Sequence, residues 1–454
     1  MNLEDLLTRP EGKTLEFKRD LSSPDGVLRT LVAFSNTAGG VLLIGVEDRT
    51  RHVRGVTDPL ETEERLANLL SDNVLPRLVP DLEVLPWRRT HVVAVQVHPS
   101  SRRPHYLQSA GPEGGVYVRV GSSNRRADKE LIAELKRFAL GASYDEEPLP
   151  DLDSEAIDFR AASECFAPKR KLKRTDMDTL RILTKHQGSV VPTVGGVLLF
   201  GRERERYFPD AWIQAGRFDG VEKVRLIDSL DIKSSLPRAV GEAAGFVQKH
   251  DLHGIRISGL RHTDTWTLPP VAVREAIINA VVHSDYSQRG APIRVAFFDD
   301  RLEIESPGLL PFGLTVQDMR DGVSRLRNRV IARVFRELGY IEQWGSGIRR
   351  MSAACREAGL EEPQLLEIGT RFRVVLRRSS APRSDVLDET DRAITAALSP
   401  GAGLTTAELA KRIGLTPRAT RNRLLSLVGR GLVQEVASSL QDPKRRYFLT
   451  SGGA

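Results

Sequence analysis

Apolar residues in this chain come in short runs, and this limits the fold more than any other feature. A membrane-spanning helix needs ~18 consecutive apolar residues. A run such as Val41-Leu42-Leu43-Ile44-Gly45-Val46 is at most a short buried strand. Over 454 residues, such runs alternate with helix-period segments. The pattern predicts a multidomain α/β and α+β protein, with roughly three domains at about 150 residues each. Hydrophobic residues at 40% and charged residues at 28% fit a globular rather than a disordered chain. The two cysteines, Cys165 and Cys355, make neither a disulfide framework nor a zinc-ligand cluster. The start, Met1-Asn2-Leu3-Glu4-Asp5, is acidic where a secretory signal is basic and then apolar. A cytoplasmic protein without a membrane partner is expected.

Residues 1–142 read as the first domain. A helix is predicted over Val27–Ala38, then a Gly39-Gly40 turn and the strand Val41–Val46. Further strands are expected at Val92–Val97 and Val116–Val120, and a helix at Lys129–Leu140. Residues 143–175 read as a linker, acidic and proline-containing over Asp145–Asp153. It ends in a cluster with five basic residues in the six positions from Lys169 to Arg174. Lys169, Arg170 and Lys171 can meet a phosphate backbone, or simply form a solvated loop. Residues 176–380 form a second α/β region, with a strand at Val194–Gly201, a helix at Val271–His283, and strands at Ile293–Phe298 and Arg301–Ser306.

The last unit, 385–450, has the element order of a winged helix-turn-helix. A helix is expected over Asp388–Leu398. A second, Ala407–Ile413, is capped by Thr405-Thr406 and stopped by Gly414. A third starts at Thr416-Pro417 and runs to about Arg430, followed by a strand pair at Leu432–Val436 and Arg446–Leu449. Between Thr405 and Tyr447 there are nine basic and three acidic residues, a net of +6, so most of the chain's surplus of +7 sits here. Arg418, Arg421 and Arg423, near the start of the third helix, and Lys444, Arg445 and Arg446 in the wing are candidate DNA contacts. Dimerisation or docking is the other use of such a unit, and a homodimer is one expectation.

The N-terminal segment Glu11-Gly12-Lys13-Thr14-Leu15-Glu16-Phe17-Lys18 places two carboxylates five residues apart. On a strand, Glu16 and Lys18 share a face. Glu47-Asp48 closes the strand that starts at Val41. Carboxylates at strand ends suit Mg²⁺ or Mn²⁺, which prefer oxygen ligands, and a lysine beside them can offset charge on a phosphate. With Ala33-Phe34-Ser35-Asn36-Thr37-Ala38-Gly39-Gly40, Leu43-Ile44-Gly45-Val46-Glu47-Asp48 and Tyr117-Val118-Arg119-Val120-Gly121-Ser122, this segment resembles the Schlafen core, or AlbA-like "divergent AAA" domain. The resemblance implies an α/β domain that handles nucleic acid, with Arg119 in its Tyr-x-Arg-x-Gly element. Its nuclease members imply that Glu11, Glu16 and Asp48 bind metal and cleave RNA, with Lys18 beside them. Other members imply a nucleic-acid-binding regulator without catalysis.

In the middle region, Glu275, Asn279 and His283 recur every four residues and line one helical face. Arg274–Tyr286 is similar to the helix of GHKL-type ATPases, where the glutamate activates water and the asparagine coordinates Mg²⁺. Pro307-Gly308, Arg325-Leu326-Arg327-Asn328 and Trp344-Gly345-Ser346-Gly347-Ile348 fit the same GHKL-like α/β sandwich, which implies that Gly308, Gly345 and Gly347 approach a nucleotide. The adenine-reading aspartate of that family is replaced by Ser306-Pro307-Gly308. Losing a recognition hydrogen bond weakens discrimination. An ATP-binding-like fold is therefore expected, one that can still bind ATP but does not hydrolyse it, and a scaffold or dimerisation domain is the alternative.

Together the three modules predict a Schlafen-like, Mg²⁺- or Mn²⁺-dependent nuclease acting on RNA, including structured RNA such as tRNA, or on single-stranded DNA. The alternative is a non-enzymatic DNA-binding transcriptional regulator whose middle domain senses a ligand or ATP.

Overall fold

The computed structural model describes residues 1–258, 261–341, 346–378, 389–398, 403–429, 432–436 and 445–449. The chain divides into two compact units, Met1–Ser379 and Ser380–Ala454.

The first unit begins with a four-stranded sheet. Strand β1 (Leu15–Lys18) runs parallel to β2 (Gly40–Ile44), because helix α1 (Pro24–Asn36) carries the chain back between them. The sheet continues with β4 (Thr90–Val97) and then β3 (Asp81–Trp87), both antiparallel, in the order β1-β2-β4-β3. Helix α1 buries Val27, Leu28, Leu31, Val32 and Phe34, the apolar face read from the sequence. It ends two residues earlier than expected, at Asn36, and Gly39, at φ 79°, lets the chain turn into β2. A hairpin of β5 (Tyr117–Val120) and β6 (Ser123–Arg126) leads into helix α2 (Lys129–Ala139).

Two expectations fail in the next stretch. Residues 143–175 are folded rather than extended as a linker: Asp145 has 0% exposure, helix Phe159–Phe166 buries Ala162 and Phe166, and these join the core of the middle region. The apolar run expected as a strand at Val194–Gly201 is helix α3 (Val194–Phe200), with all seven residues buried. A short unbroken apolar run does not distinguish a buried strand from a buried helix. Here Thr193 decides it, because its hydroxyl accepts the Gly196 N–H at 3.0 Å and caps a helix. Gly196 then packs so closely that a Cβ would lie 2.2 Å from the Ile182 carbonyl oxygen.

The middle region is a six-stranded sheet with helices on it. Its strands are β7 (Ile213–Asp219), β8 (Arg225–Ile232), β9 (Ile293–Phe297), β10 (Arg301–Pro307), β11 (Gln364–Ile368) and β12 (Arg371–Arg377). Their order is β8-β7-β9-β10-β12-β11. Helices α4 (Leu236–Asp251), α5 (Pro270–His283), α6 (Arg329–Glu337) and α7 (Gly347–Glu357) contribute buried residues to its core.

Several ties make residues 1–378 one unit. Lys13 Nζ pairs with Glu367 at 2.7 Å, and Glu367 also accepts the Leu310 N–H at 2.8 Å. Glu134 pairs with Arg327 at 2.7 Å. Phe312 is buried with Val116, Val118, Leu131, Ile132 and Leu135 of the N-terminal part. The Asp145 carboxylate accepts the N–H groups of Arg329, Val330 and Ile331 at 2.9, 2.7 and 3.0 Å, capping α6 from outside. Asn328, at the helix's own cap position, is occupied elsewhere: it donates to the carbonyls of Val282 and Ser284.

The second unit is the expected three helices and hairpin: α8 (Glu389–Ala397), α9 (Thr406–Ile413), α10 (Pro417–Gly429), β13 (Val433–Val436) and β14 (Arg446–Leu449). Thr405 and Glu408 form a reciprocal capping box, and Gly414 closes α9 at φ 72°. Ile394, Leu398, Leu409, Leu424, Leu427, Val433 and Tyr447 form its core.

Replacing Asp145 by Ala strips three N–H groups of their acceptor, two of them buried, and each buried orphan is costly. Asp145→Ala is expected to lower stability by about 2–4 kcal/mol, read as a lower urea midpoint with an unchanged m-value.

Candidate functional site

The N-terminal acids do converge. Glu11 lies just before β1, and its Oε1 accepts the Phe17 N–H at 2.7 Å, which folds the approach back onto the strand. Asp48 lies within hydrogen-bonding reach of the Glu11 carboxyl. Glu47 turns away to Arg54 at 2.7 Å and Thr50 at 2.8 Å, so Asp48 is the acid that faces the site. Burial raises the Glu11 carboxyl to about 7, with Asp48 and the charge on Glu16 adding to the effect.

Glu16 has a different environment. It is buried, and each carboxylate oxygen meets a cation: Lys18 Nζ at 2.5 Å on one, the Arg119 guanidinium on the other. Glu16 and Lys18 therefore share a face, as the strand period predicts. Among the described residues no group of three or more His, Cys, Asp or Glu side chains is disposed to hold a metal ion. The set Glu11, Glu16 and Asp48 is not assembled as three free ligands. Only the Glu11–Asp48 pair remains as a donor set, one in which two acids crowd each other.

Arg119, expected at nucleic acid, is fully buried. Its Nε donates to the Gly12 carbonyl at 3.0 Å and its Nη1 to Asn124 Oδ1 at 2.8 Å, while Nη2 meets Glu16. The Phe34 ring centroid lies 5.3 Å from the guanidinium. The neighbouring Asn36-Thr37 is likewise internal. Asn36 donates to the carbonyls of His105 and Tyr117 and accepts the His105 N–H, and Thr37 Oγ1 accepts the Arg119 N–H. Loss of water around a guanidinium requires this full set of partners, and no sequence spacing reveals it.

On α5, Glu275, Asn279 and His283 line one side of a cavity of about 120 Å³, bordered also by Ser306, Gly308, Gly347 and apolar side chains including Ile304, Leu310 and Met319. Glu275 is ion-paired with Arg350 at 2.9 Å. Burial and Arg327 lower the His283 imidazole to about 4, keeping it neutral at pH 7. The two described glycines have packing reasons of their own. A Cβ on Gly347 would lie 2.1 Å from Glu275 Oε1, and one on Gly308, at φ 99°, would lie 2.0 Å from Arg327 Nη1. Gly345 lies outside the described residues.

The basic candidates separate into two kinds. Arg170 is held by Asp176 at 2.7 Å and Glu337 at 3.1 Å, whereas Lys169 and Lys171 are exposed. In the second unit, Arg418 and Arg421 are exposed on α10. Arg423 reaches Asp391 of α8 at 3.4 Å, Arg445 pairs with Glu435 at 2.6 Å, and Arg446 Nη1 donates to the Gly403 carbonyl at 2.8 Å. These three arginines thus help hold the winged helix together. Lys444 lies outside the described residues. Lys411 and Arg412, exposed in the last turn of α9, extend the basic surface and were not singled out from the sequence.

Arg119→Met leaves Glu16 buried with half of its cationic partners. Breaking a buried ion pair this way costs about 3–5 kcal/mol, so a large drop in the unfolding midpoint is expected. A residue acting only on nucleic acid would leave that midpoint unchanged.

Three family models match parts of the chain. Residues 11–128 match Schlafen, AlbA_2. Residues 290–376 match the model described as "Putative ATP-dependent DNA helicase recG C-terminal". Residues 387–434 match a winged helix-turn-helix DNA-binding model. No curated protein matches. Among solved structures, the DIP2311 protein from Corynebacterium diphtheriae is 20% identical, over 99% of this chain and 96% of that one, with a TM-score of 0.44. The N-terminal domain of a RecG-related protein from Nitrosomonas europaea is 27% identical over 27% of this chain and 91% of that one, with a TM-score of 0.22. In chain order, the protein thus combines a Schlafen AlbA_2 domain, an ATPase-like domain of the RecG C-terminal type and a winged helix-turn-helix of the DNA-binding type.

Proposed function

We propose that this chain is a DNA-binding regulator that docks on duplex DNA through its winged helix. The observation that carries this reading is the sorting of charge on α10. Arg423 is held by Asp391, while Arg418 and Arg421 stand exposed near the start of the helix that such units lay in the major groove. Among the described residues of α9 and α10, the exposed cations outside any ion pair are those two arginines with Lys411 and Arg412. Duplex affinity is expected to fall steeply with salt, since each neutralised phosphate contributes about −0.9 to the slope of log K against log salt. If Arg418 and Arg421 meet phosphates, the double variant Arg418→Ala/Arg421→Ala lowers that slope by about 2 and weakens binding at least tenfold. Retention of wild-type affinity and slope would sink the reading. The measurement is fluorescence anisotropy on labelled duplexes over a salt series.

A second reading, a metal-dependent nuclease, is favoured by one observation: the crowded Glu11–Asp48 pair, where bound Mg²⁺ or Mn²⁺ would offset the burial and the neighbouring carboxylates that raise the Glu11 carboxyl. Its polymer would be RNA, including tRNA, or single-stranded DNA. Under this reading Mn²⁺- or Mg²⁺-dependent cutting disappears with EDTA and in both Glu11→Gln and Asp48→Asn. Binding without cutting under any metal favours the regulator.

A further inference from the structure

A cleft of about 450 Å³ lies between α2 and the segment that leads into α6. It adjoins the α5 cavity, and Pro311, Ser324, Arg325 and Leu326 border both. Its walls carry Arg137, Arg325, Arg327 and Arg329 against only two carboxylates, Glu134 and Asp285. Glu134 is already engaged with Arg327. Arg137 and Arg329 have acidic neighbours at 3.6 and 3.5 Å, Glu147 and Glu146. Arg325 has none among the described residues; it is exposed and donates to the Phe312 carbonyl at 3.2 Å.

Behind the cleft lies a second unbalanced cation. Arg103 is 4% exposed, and its guanidinium sits 4.8 Å from the Phe138 ring centroid and 5.6 Å from that of Phe312. Both rings line the cleft. Its Nε donates to the Ser100 carbonyl at 2.7 Å, and its Nη1 has no partner among the described residues. Burial, with Arg325 nearby, lowers this guanidinium to about 10. A buried cation without a counter-ion is costly, and a second cation beside it adds to the cost. Both costs fall when an anion enters. The same walls offer aromatic faces: Tyr144, whose ring lies 5.0 Å from the Arg137 guanidinium, and Phe138. Arginines interleaved with aromatic rings suit a phosphate next to a base, and the volume lies within the ~300–1,000 Å³ of ligand sites.

We propose that this cleft binds a phosphate-bearing ligand of nucleotide size, with Arg325 as its principal anion contact. The nucleotide is either free or one unit of a single strand, and the chemistry is shared. This site is independent of duplex binding by the winged helix.

The test uses the full chain at low salt, with calorimetric titration of AMP, adenosine and a single-stranded hexanucleotide. AMP, the hexanucleotide or both bind, and adenosine binds at least tenfold more weakly than AMP. Arg325→Gln, an exposed change that leaves the melting temperature near wild type, weakens the phosphate-bearing probe at least tenfold. Met319→Trp, which fills the α5 cavity, changes affinity less than twofold. A hexanucleotide that outbinds AMP with the same Arg325 dependence identifies a strand, and the reverse order identifies a free nucleotide. The proposal is overturned if neither phosphate-bearing probe binds, if Arg325→Gln binds like wild type, or if Met319→Trp abolishes binding.

Discussion

The guanidinium of Arg119 is the fixed point of the N-terminal part. It reaches the loop before β1 through Gly12, β1 through Glu16, the hairpin through Asn124 and helix α1 through the Phe34 ring. A buried arginine without partners would be expelled or would unfold its surroundings, because its charge has lost its water. Five donors in a rigid fork let one side chain satisfy several segments at once, which a lysine at this position does not do. The acids therefore sit where they do because of Arg119. Glu16 is drawn into the interior, and Glu11 and Asp48 are left facing each other at its edge.

A similar economy joins the N-terminal and middle parts. Each uses a group that one side has to satisfy and the other supplies: the orphan N–H groups at the start of α6 met by Asp145, the Leu310 N–H met by Glu367, and the Phe312 ring received by the N-terminal core. Glu367 does double service, since it also holds Lys13, two residues from Glu11. The loop that borders the α5 cavity is thereby tied to the strand that carries the acidic site. A ligand entering either the cavity or the cleft beside α2 meets residues of this junction.

Net charge proved a poor guide to which cations face a partner. The winged-helix unit is strongly basic by count, but Arg423, Arg445 and Arg446 have internal partners, as does Arg170 in the earlier basic cluster. Among the described residues of α9 and α10, Arg418 and Arg421 with Lys411 and Arg412 remain outward and outside any ion pair. An exposed arginine retains its long-range attraction for phosphate, whereas one bonded to a carboxylate cancels much of its own field.

Features that depend on neighbours a few residues apart are legible along the chain. Thr405, Glu408, Gly414 and Pro417 set the limits of the winged-helix elements, and period-2 spacing placed Glu16 and Lys18 on one face. The ordered motifs announced the three modules. Features that depend on distant partners emerge only on folding. The run from Val194 became a helix because Thr193 capped it and Gly196 packed on Ile182, and the stretch after Ala142 was folded because Asp145 had a helix to cap. The fate of each charge was illegible for the same reason. Glu16 finds Arg119 across 103 positions and Lys13 finds Glu367 across 354, and pairings at such distances leave no spacing to read. Backbone geometry is set by local sterics and hydrogen bonding, whereas the free energy of a charge is set by whatever the folded chain places against it.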